Sequence, residues 1–313
     1  MTNLPTEYTT RTVAAIDRGL GWLARQQLSD GAFGSSQYYR KNVAITSLAV
    51  MAFMSAGSVP GRGAYARNVE RGLGFVLDSA SDSGLLGDPT AGPPMYGHGF
   101  ATLLLAELRG MSGRPDLDEK LRKAVQLIVA TQNAEGGWRY QPVRADADIS
   151  VTVTQVMALR AARNAGIAVP KETMDLAVQY IRNCQMPDGG FSYMLNREAS
   201  AFPRSAAAVA ALQYAGLYDS PDVKKGLEYL MQFLPGRNEL SGHYHYGHYY
   251  AVQAMFIAGG AYWRQWYPAM RDELLGRQRF NGVWQGQAGD EYGTAMALLV
   301  LQVPNQLLPV FER

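Results

Sequence analysis

The sequence predicts an all-α fold, an α/α toroid (α6/α6 barrel) in which six helical hairpins close into one ring spanning residues 1–313. Three observations carry this expectation. A short motif recurs along the whole chain, an amphipathic helical pattern precedes each copy, and an almost wholly apolar helical pattern follows it.

The motif reads Gln-x-x-(Asp, Glu or Asn)-Gly-x-aromatic. It occurs as Gln27, Asp30, Gly31, Phe33; as Gln132, Glu135, Gly136, Trp138; as Gln185, Asp188, Gly189, Phe191; and as Gln278, Asn281, Gly282, Trp284. Two degenerate copies fill the gaps. One is centred on Gly84 with Leu86 in the aromatic slot, and the other runs from Gln232 to Gly236 and into an insertion. With Ala80 taken as the lost glutamine, the copies start at 27, 80, 132, 185, 232 and 278, a period of 46 to 53 residues.

Apolar residues at helical spacing lead into each motif, as in Ile16, Leu20 and Leu23, or Leu121, Val125 and Ile128. One apolar stripe with a polar remainder marks a helix half open to water, so these segments are expected on the outside. The segments GLGWL from Gly19, GLGFV from Gly72, AVQLI from Ala124, AVQYI from Ala177 and GLEYL from Gly226 occupy equivalent places. The segments after each motif are VAITSLAVMAFMSAG, GFATLLLAELRGM, ISVTVTQVMALRAARNAG, RSAAAVAALQYAG, YYAVQAMFIAG and YGTAMALLVLQ. A helix without a polar face must be buried on nearly all sides, so these are expected inside. Five of them end in glycine-containing stretches suited to a C-terminal cap, and short connections favour antiparallel hairpins. Closure is expected because an open array needs polar capping repeats at its ends, whereas the last inner segment, Tyr292 to Val303, is as apolar as the central ones. In a closed ring all six inner helices begin at one end of a central cavity, where unpaired N–H groups favour acidic or anionic groups.

Composition excludes other classes. Hydrophobic residues make up 47% of the 313 and charged residues 18%, enough apolar surface for a large core. Twenty-nine Lys and Arg against 27 Asp and Glu leave +2, with no basic block, so no nucleic-acid partner is expected. The single Cys184 excludes an intrachain disulfide and any multi-cysteine metal site. No apolar run reaches the ~18 residues of a transmembrane segment, and MTNLPTEYTTRTV lacks the regions of a signal peptide. The expectation is a soluble protein, cytoplasmic as given and exported if a leader has been removed.

The recurring Gln, Asp-Gly and aromatic residues resemble the QW motifs of squalene and hopene cyclases, and the alternating hairpins are similar to the wider superfamily that includes protein prenyltransferase β subunits. The resemblance covers essentially the whole chain, although triterpene cyclases carry two such domains and 313 residues hold one. The cyclase motif Asp-x-Asp-Asp-Thr, whose middle aspartate protonates an alkene or epoxide, has its nearest match in Asp146, Ala147, Asp148, Ile149 and Ser150. The resemblance thus implies Asp148 as the acid, with Ile149 replacing the next aspartate. Prenyltransferases hold zinc through Asp, Cys and His. Alignment puts Gly293 where their histidine belongs, and Cys184 lies far from the metal position, so no zinc site is implied.

Asp146 and Asp148, at the start of the third inner helix, are the catalytic candidates, since paired carboxylates can share a proton and raise one pKa; the competing role is helix capping with Ser150. His98, His243, His245 and His248 fall at equivalent points of the repeat. His245 and His248, at i, i+3, are spaced to share a divalent metal with Asp148 or Glu291, but structural histidines packed by Tyr244, Tyr246, Tyr249 and Tyr250 weigh more heavily. No metal and no cofactor is therefore expected. Met95, Tyr96, Phe100, Phe202 and Tyr292 belong to the same rim, where aromatic faces suit an isoprenoid or a carbocation. Arg204 is placed to pair with Asp146 or Asp148, or to hold a phosphate. The cavity candidates are His98, Arg204, His245, Tyr246, His248, Tyr250, Glu291 and Tyr292.

The functional expectation is a terpenoid-cyclase-like protein that binds an isoprenoid or other apolar ligand in the central cavity and uses Asp148 for acid-initiated cyclisation or isomerisation. Two alternatives stand beside it. One is a non-catalytic toroid that binds a protein or peptide partner. The other is a carbohydrate-active toroid with Asp148 and a histidine as acid and base, and with Trp263, Trp266 and Trp284 as platforms.

Overall fold

The structure, a computed structural model, describes residues 7–88, 92–195, 198–236 and 242–308. Outer helices α1 (Thr10–Gln26), α3 (Ala66–Asp78), α5 (Leu117–Thr131), α7 (Lys171–Asn183), α9 (Pro221–Met231) and α11 (Gly260–Arg277) alternate with inner helices α2 (Val43–Ser55), α4 (Pro94–Leu108), α6 (Ile149–Asn164), α8 (Phe202–Tyr214), α10 (Tyr244–Ala258) and α12 (Asp290–Gln302). The outer helices bury one stripe, such as Ile16, Leu20 and Leu23 of α1. The inner helices are buried along nearly their whole length. Two inner helices begin more than a turn earlier than their apolar segments suggest. α4 starts at Pro94, which needs no N–H partner in the first turn, and α10 starts at Tyr244, so MYGH and YHYGH are helical.

Each inner helix packs against the next, and α12 packs against both α10 and α2, which closes the ring. In the four hairpins with the intact motif, the repeated glutamine joins the hairpin to its successor. Gln27 Nε2 donates to Gly31 O (3.0 Å) and to Asn68 O of α3 (2.9 Å). Gln132 reaches Thr173 O of α7 (2.9 Å), and Gln185 reaches Asp222 O of α9 (2.8 Å). Gln278 makes the same pair of bonds to Gly282 O (3.1 Å) and to Ala15 O of α1 (2.8 Å). The device that links neighbours also links last to first. The motif glycine is required because a Cβ on Gly282, at φ +95°, would lie 2.6 Å from Arg18 O of α1, and a side chain rarely adopts that backbone conformation.

The aromatic slot is fixed from the inner helix. The N–H groups of Phe33, Trp138, Phe191 and Trp284 donate to the hydroxyls of Thr46, Thr152, Ser205 and Thr294 (2.8–3.2 Å). The indole N–H groups of Trp138 and Trp284 reach Ile128 O and Leu274 O (2.7 and 2.8 Å) on their own outer helices. Past the inner helices, Gly57, Gly110, Gly166, Gly216 and Gly259 take positive φ and turn the chain outward. Among the described residues, no helix is long and apolar enough to cross a membrane.

Candidate functional site

A cavity of about 1120 Å³ opens where the inner helices begin. Its inner wall is apolar, from Ile45 and Leu48 of α2, Phe100 of α4 and Met296 of α12. Tyr96, Tyr246 and Tyr292 lie on the inner helices beside this wall, with Tyr140 and Tyr193 on the loops before α6 and α8. The mouth is polar, with Arg40, Lys41, Asp88, Glu198, Arg204, His243 and Gln287. Lys41 pairs with Asp30 (2.7 Å). This gradient from apolar floor to charged rim suits an amphiphile held lengthwise.

Asp148 is the N-cap of α6 and is fully buried. Its Oδ1 accepts the Val151 N–H (2.9 Å), an ordinary cap bond. Oδ2 has no hydrogen-bond partner and lies 3.8 Å from Arg139 Nε, itself buried and unbonded. Burial pushes the Asp148 carboxyl up to about 6, against the Val151 N–H, the Tyr193 hydroxyl and Arg139, which favour the ionised form. Asp146 is half exposed and binds the Arg139 guanidinium directly. The two aspartates therefore do not form a proton-sharing pair; a cation stands between them. Sequence reasoning missed Arg139, whose signal is the position next to the motif tryptophan, on the loop that delivers Asp148.

Asp148 does not line the cavity; Tyr140 and Tyr193 do. Their hydroxyls are hydrogen-bonded to each other. The Ile149 N–H donates to Tyr193 O (2.9 Å) and the Asp148 N–H to Trp138 O (3.0 Å), so the backbone fixes this group. Neither tyrosine was singled out from the sequence, because both lie in irregular loops whose path the repeat does not specify.

His98, His245 and His248 lie elsewhere than the lining role expected of them. His98 Nδ1 accepts the Leu86 N–H (3.1 Å), which leaves Nε2–H to donate to Ala124 O (3.1 Å). His98 thus occupies the slot that Thr46, Thr152, Ser205 and Thr294 fill in other repeats, its longer ring reaching the turn where leucine replaces the aromatic residue. Burial lowers its pKa to about 4. His245 donates Nε2–H to Gln285 O (2.9 Å) and is also buried behind the wall. His248 sits at the same helical register as His98 but bonds neither ring nitrogen; it is boxed by Tyr244, Phe202 and Trp266, and burial lowers its pKa to about 3. Tyr250 is buried behind Tyr246 (rings 4.9 Å apart), and Glu291 is buried in the first turn of α12 beside Gly289. Tyr246, Tyr292 and Arg204 reach the cavity. Arg204 bonds Glu198 (3.1 Å), Phe191 O (3.1 Å) and Ala199 O rather than either aspartate.

Among the described residues, no three His, Cys, Asp or Glu side chains are grouped to hold a metal. Cys184 is buried, its thiol pushed up to about 11 by burial, and both ring nitrogens of His98 are committed. The donors present do not fit the zinc site of a prenyltransferase.

The fold and cavity define an α/α toroid with a cavity at the mouths of its inner helices. A family model described as the prenyltransferase alpha-alpha toroid domain matches residues 7–86 and 81–245, and the chain belongs to that family. A variant of the type II terpene cyclase MstE from Scytonema, in complex with its substrate geranylgeranyl dihydroxybenzoate, superposes with a TM-score of 0.68 at 13% identity, over 95% of this chain and 98% of that one. A protein from Actinoplanes gives 0.61 at 16% identity over 95% and 99%. An inactive variant of the alpha-1,6-mannanase GH76A of Salegentibacter sp., in complex with alpha-1,6-mannotriose, gives 0.67 at 8% identity over 95% and 99%. At these identities the likeness is one of fold. No curated protein matches the chain.

Proposed function

We propose that this protein binds an isoprenoid or similarly apolar ligand in its central cavity and uses Asp148 as the acid of an isomerisation or cyclisation. The observation that supports this most is a carboxyl group held at about 6, with one oxygen buried and unbonded, directly behind an aromatic cavity wall. Such a group holds its proton below neutral pH and has no strong partner to surrender it to. The tyrosine faces around the cavity offer π surfaces to developing positive charge. Burying 15 carbons at ~0.8 kcal/mol each gives roughly 12 kcal/mol; subtracting an association cost of about 4 kcal/mol leaves a Kd on the order of 1 μM.

The test is titration of the purified protein with C15 and C20 isoprenoids, followed by tyrosine and tryptophan fluorescence, with mannotriose in parallel. Saturable micromolar binding of the isoprenoids, and product formation lost in Asp148→Asn, are expected. Binding of mannotriose with no isoprenoid binding would replace this reading with the carbohydrate one.

A further inference from the structure

The carboxyl group and the cavity do not touch, and the residues between them are specific. Asp148 is sealed off, the Tyr193 hydroxyl lies close enough to it to favour the ionised form, and that hydroxyl is bonded to the Tyr140 hydroxyl, both tyrosines lining the cavity. A hydroxyl has one proton to give, so in a row of three such groups the direction of every hydrogen bond is set by the first. With Asp148 protonated, Asp148 donates to Tyr193, Tyr193 to Tyr140, and Tyr140 is left with its proton pointing into the cavity. With Asp148 ionised, Tyr193 turns to the carboxylate and Tyr140 to Tyr193, and the cavity loses its donor.

Resting on the reading above, we infer that Asp148, Tyr193 and Tyr140 form a reversible hydrogen-bond relay that recognises a neutral oxygen acceptor, such as a ketone, on an otherwise apolar isoprenoid. The ligand class follows from the chemistry at the end of the row. A tyrosine hydroxyl backed by a carboxylic acid is too weak an acid to protonate an unactivated alkene, but it hydrogen-bonds a carbonyl oxygen well. Proton transfer along the row conserves atoms. The Asp148, Tyr193 and Tyr140 O–H bonds break while new O–H bonds form on Tyr193, Tyr140 and the ligand oxygen. Asp148 becomes the carboxylate, the ligand becomes the cation, and loss of a proton from the rearranged product restores the acid.

The relay responds to pH through Asp148 alone. The groups facing it are Arg139 from its own loop, Tyr193 from the loop before α8, Tyr96 of α4, Tyr246 of α10, Tyr180 of α7 and Cys184 just past α7. Burial drives the tyrosines and Cys184 upward, away from neutrality, and Arg139 stays cationic.

The test uses farnesylacetone and the hydrocarbon of the same carbon skeleton, titrated by fluorescence at pH 5 and pH 8 into wild type, Tyr140→Phe and Tyr193→Phe, each checked for an unchanged melting temperature. Wild type should bind the ketone about tenfold more tightly than the hydrocarbon at pH 5 and only about twofold more tightly at pH 8. Tyr140→Phe should erase the preference, whereas Tyr193→Phe, which leaves the Tyr140 proton free for the ligand, should keep it and make it indifferent to pH. If both probes bind but the preference survives in Tyr140→Phe, or is indifferent to pH in wild type, the relay is wrong and the apolar cavity stands. If neither probe binds, the isoprenoid reading itself is wrong.

Discussion

Replacing Trp284 by alanine tests whether the ring is closed. Trp284 is 1% exposed and belongs to the last hairpin, yet its ring packs on the first helix: a Cβ on Gly19 of α1 would lie 2.6 Å from it. Trp138 is equally buried in an interior hairpin and makes the same two hydrogen bonds. In a closed ring the two positions are equivalent, and each substitution should cost about 3–5 kcal/mol through lost burial and the void left behind. The Leu274 carbonyl keeps its bond from the Gln278 N–H, so no orphaned acceptor adds to the cost. With an unfolding entropy of ~2.1 cal/mol/K per residue, a 313-residue chain loses roughly 5–8 °C in melting temperature. Scanning calorimetry of Trp284→Ala, Trp138→Ala and the control Phe280→Ala, whose side chain is 99% exposed, checks this. Equal falls in the first two with less than 1 °C in the control are expected. A Trp284 variant that melts with wild type would refute the reasoning, because the last turn would then have no neighbour to lose.

Further predictions concern the site and its supports. Asp148 has its folded-state pKa raised to about 6; its contribution is full below the unfolded value near 4 and lost as pH rises through 6, so its charge costs about 3 kcal/mol at pH 8. Asp148→Asn keeps a cap acceptor and should therefore melt a few degrees higher than wild type at pH 8 and equal to it at pH 4; a lower melting temperature at pH 8 would count against a strained, functional carboxyl. His98 is shifted the other way, to about 4, so its contribution is full above 6.5 and lost as pH falls through 4, about 3 kcal/mol in all. His98→Gln should remove that part of the acid slope in urea unfolding, and an unchanged slope would mean that the ring titrates freely. Gly293→Ala puts a methyl 2.4 Å from the Trp284 carbonyl oxygen, and an overpacking loss of at least about 1–3 kcal/mol should appear in the same urea titration.

The ring was legible in the sequence because its information is local and repeated. Gln27, Gln132, Gln185 and Gln278 recur at the hairpin period and do the same work in each hairpin. The inner helices were legible because a segment with no polar face has only one place to go. The site was legible in part. Asp148 was singled out through the resemblance of its segment to the cyclase acid motif, Tyr246 and Tyr292 from the aromatic rim. The histidines pointed to a lining role because they share a register. That same register, matched against Thr46, Thr152, Ser205 and Thr294, marks His98 as the holder of its turn. Arg139, Tyr140 and Tyr193 were not legible. They lie on loops that differ from one hairpin to the next, and only the folded ring brings the loop before α8 against the one before α6.

The most direct test of the account is an experimental structure of the protein crystallised with farnesylacetone. The account predicts density for the isoprenoid tail between Ile45, Phe100, Tyr246 and Met296, with the ketone oxygen within hydrogen-bond distance of Tyr140. A ring filled by its own side chains, with the ligand absent or lying on the outer helices, would contradict it.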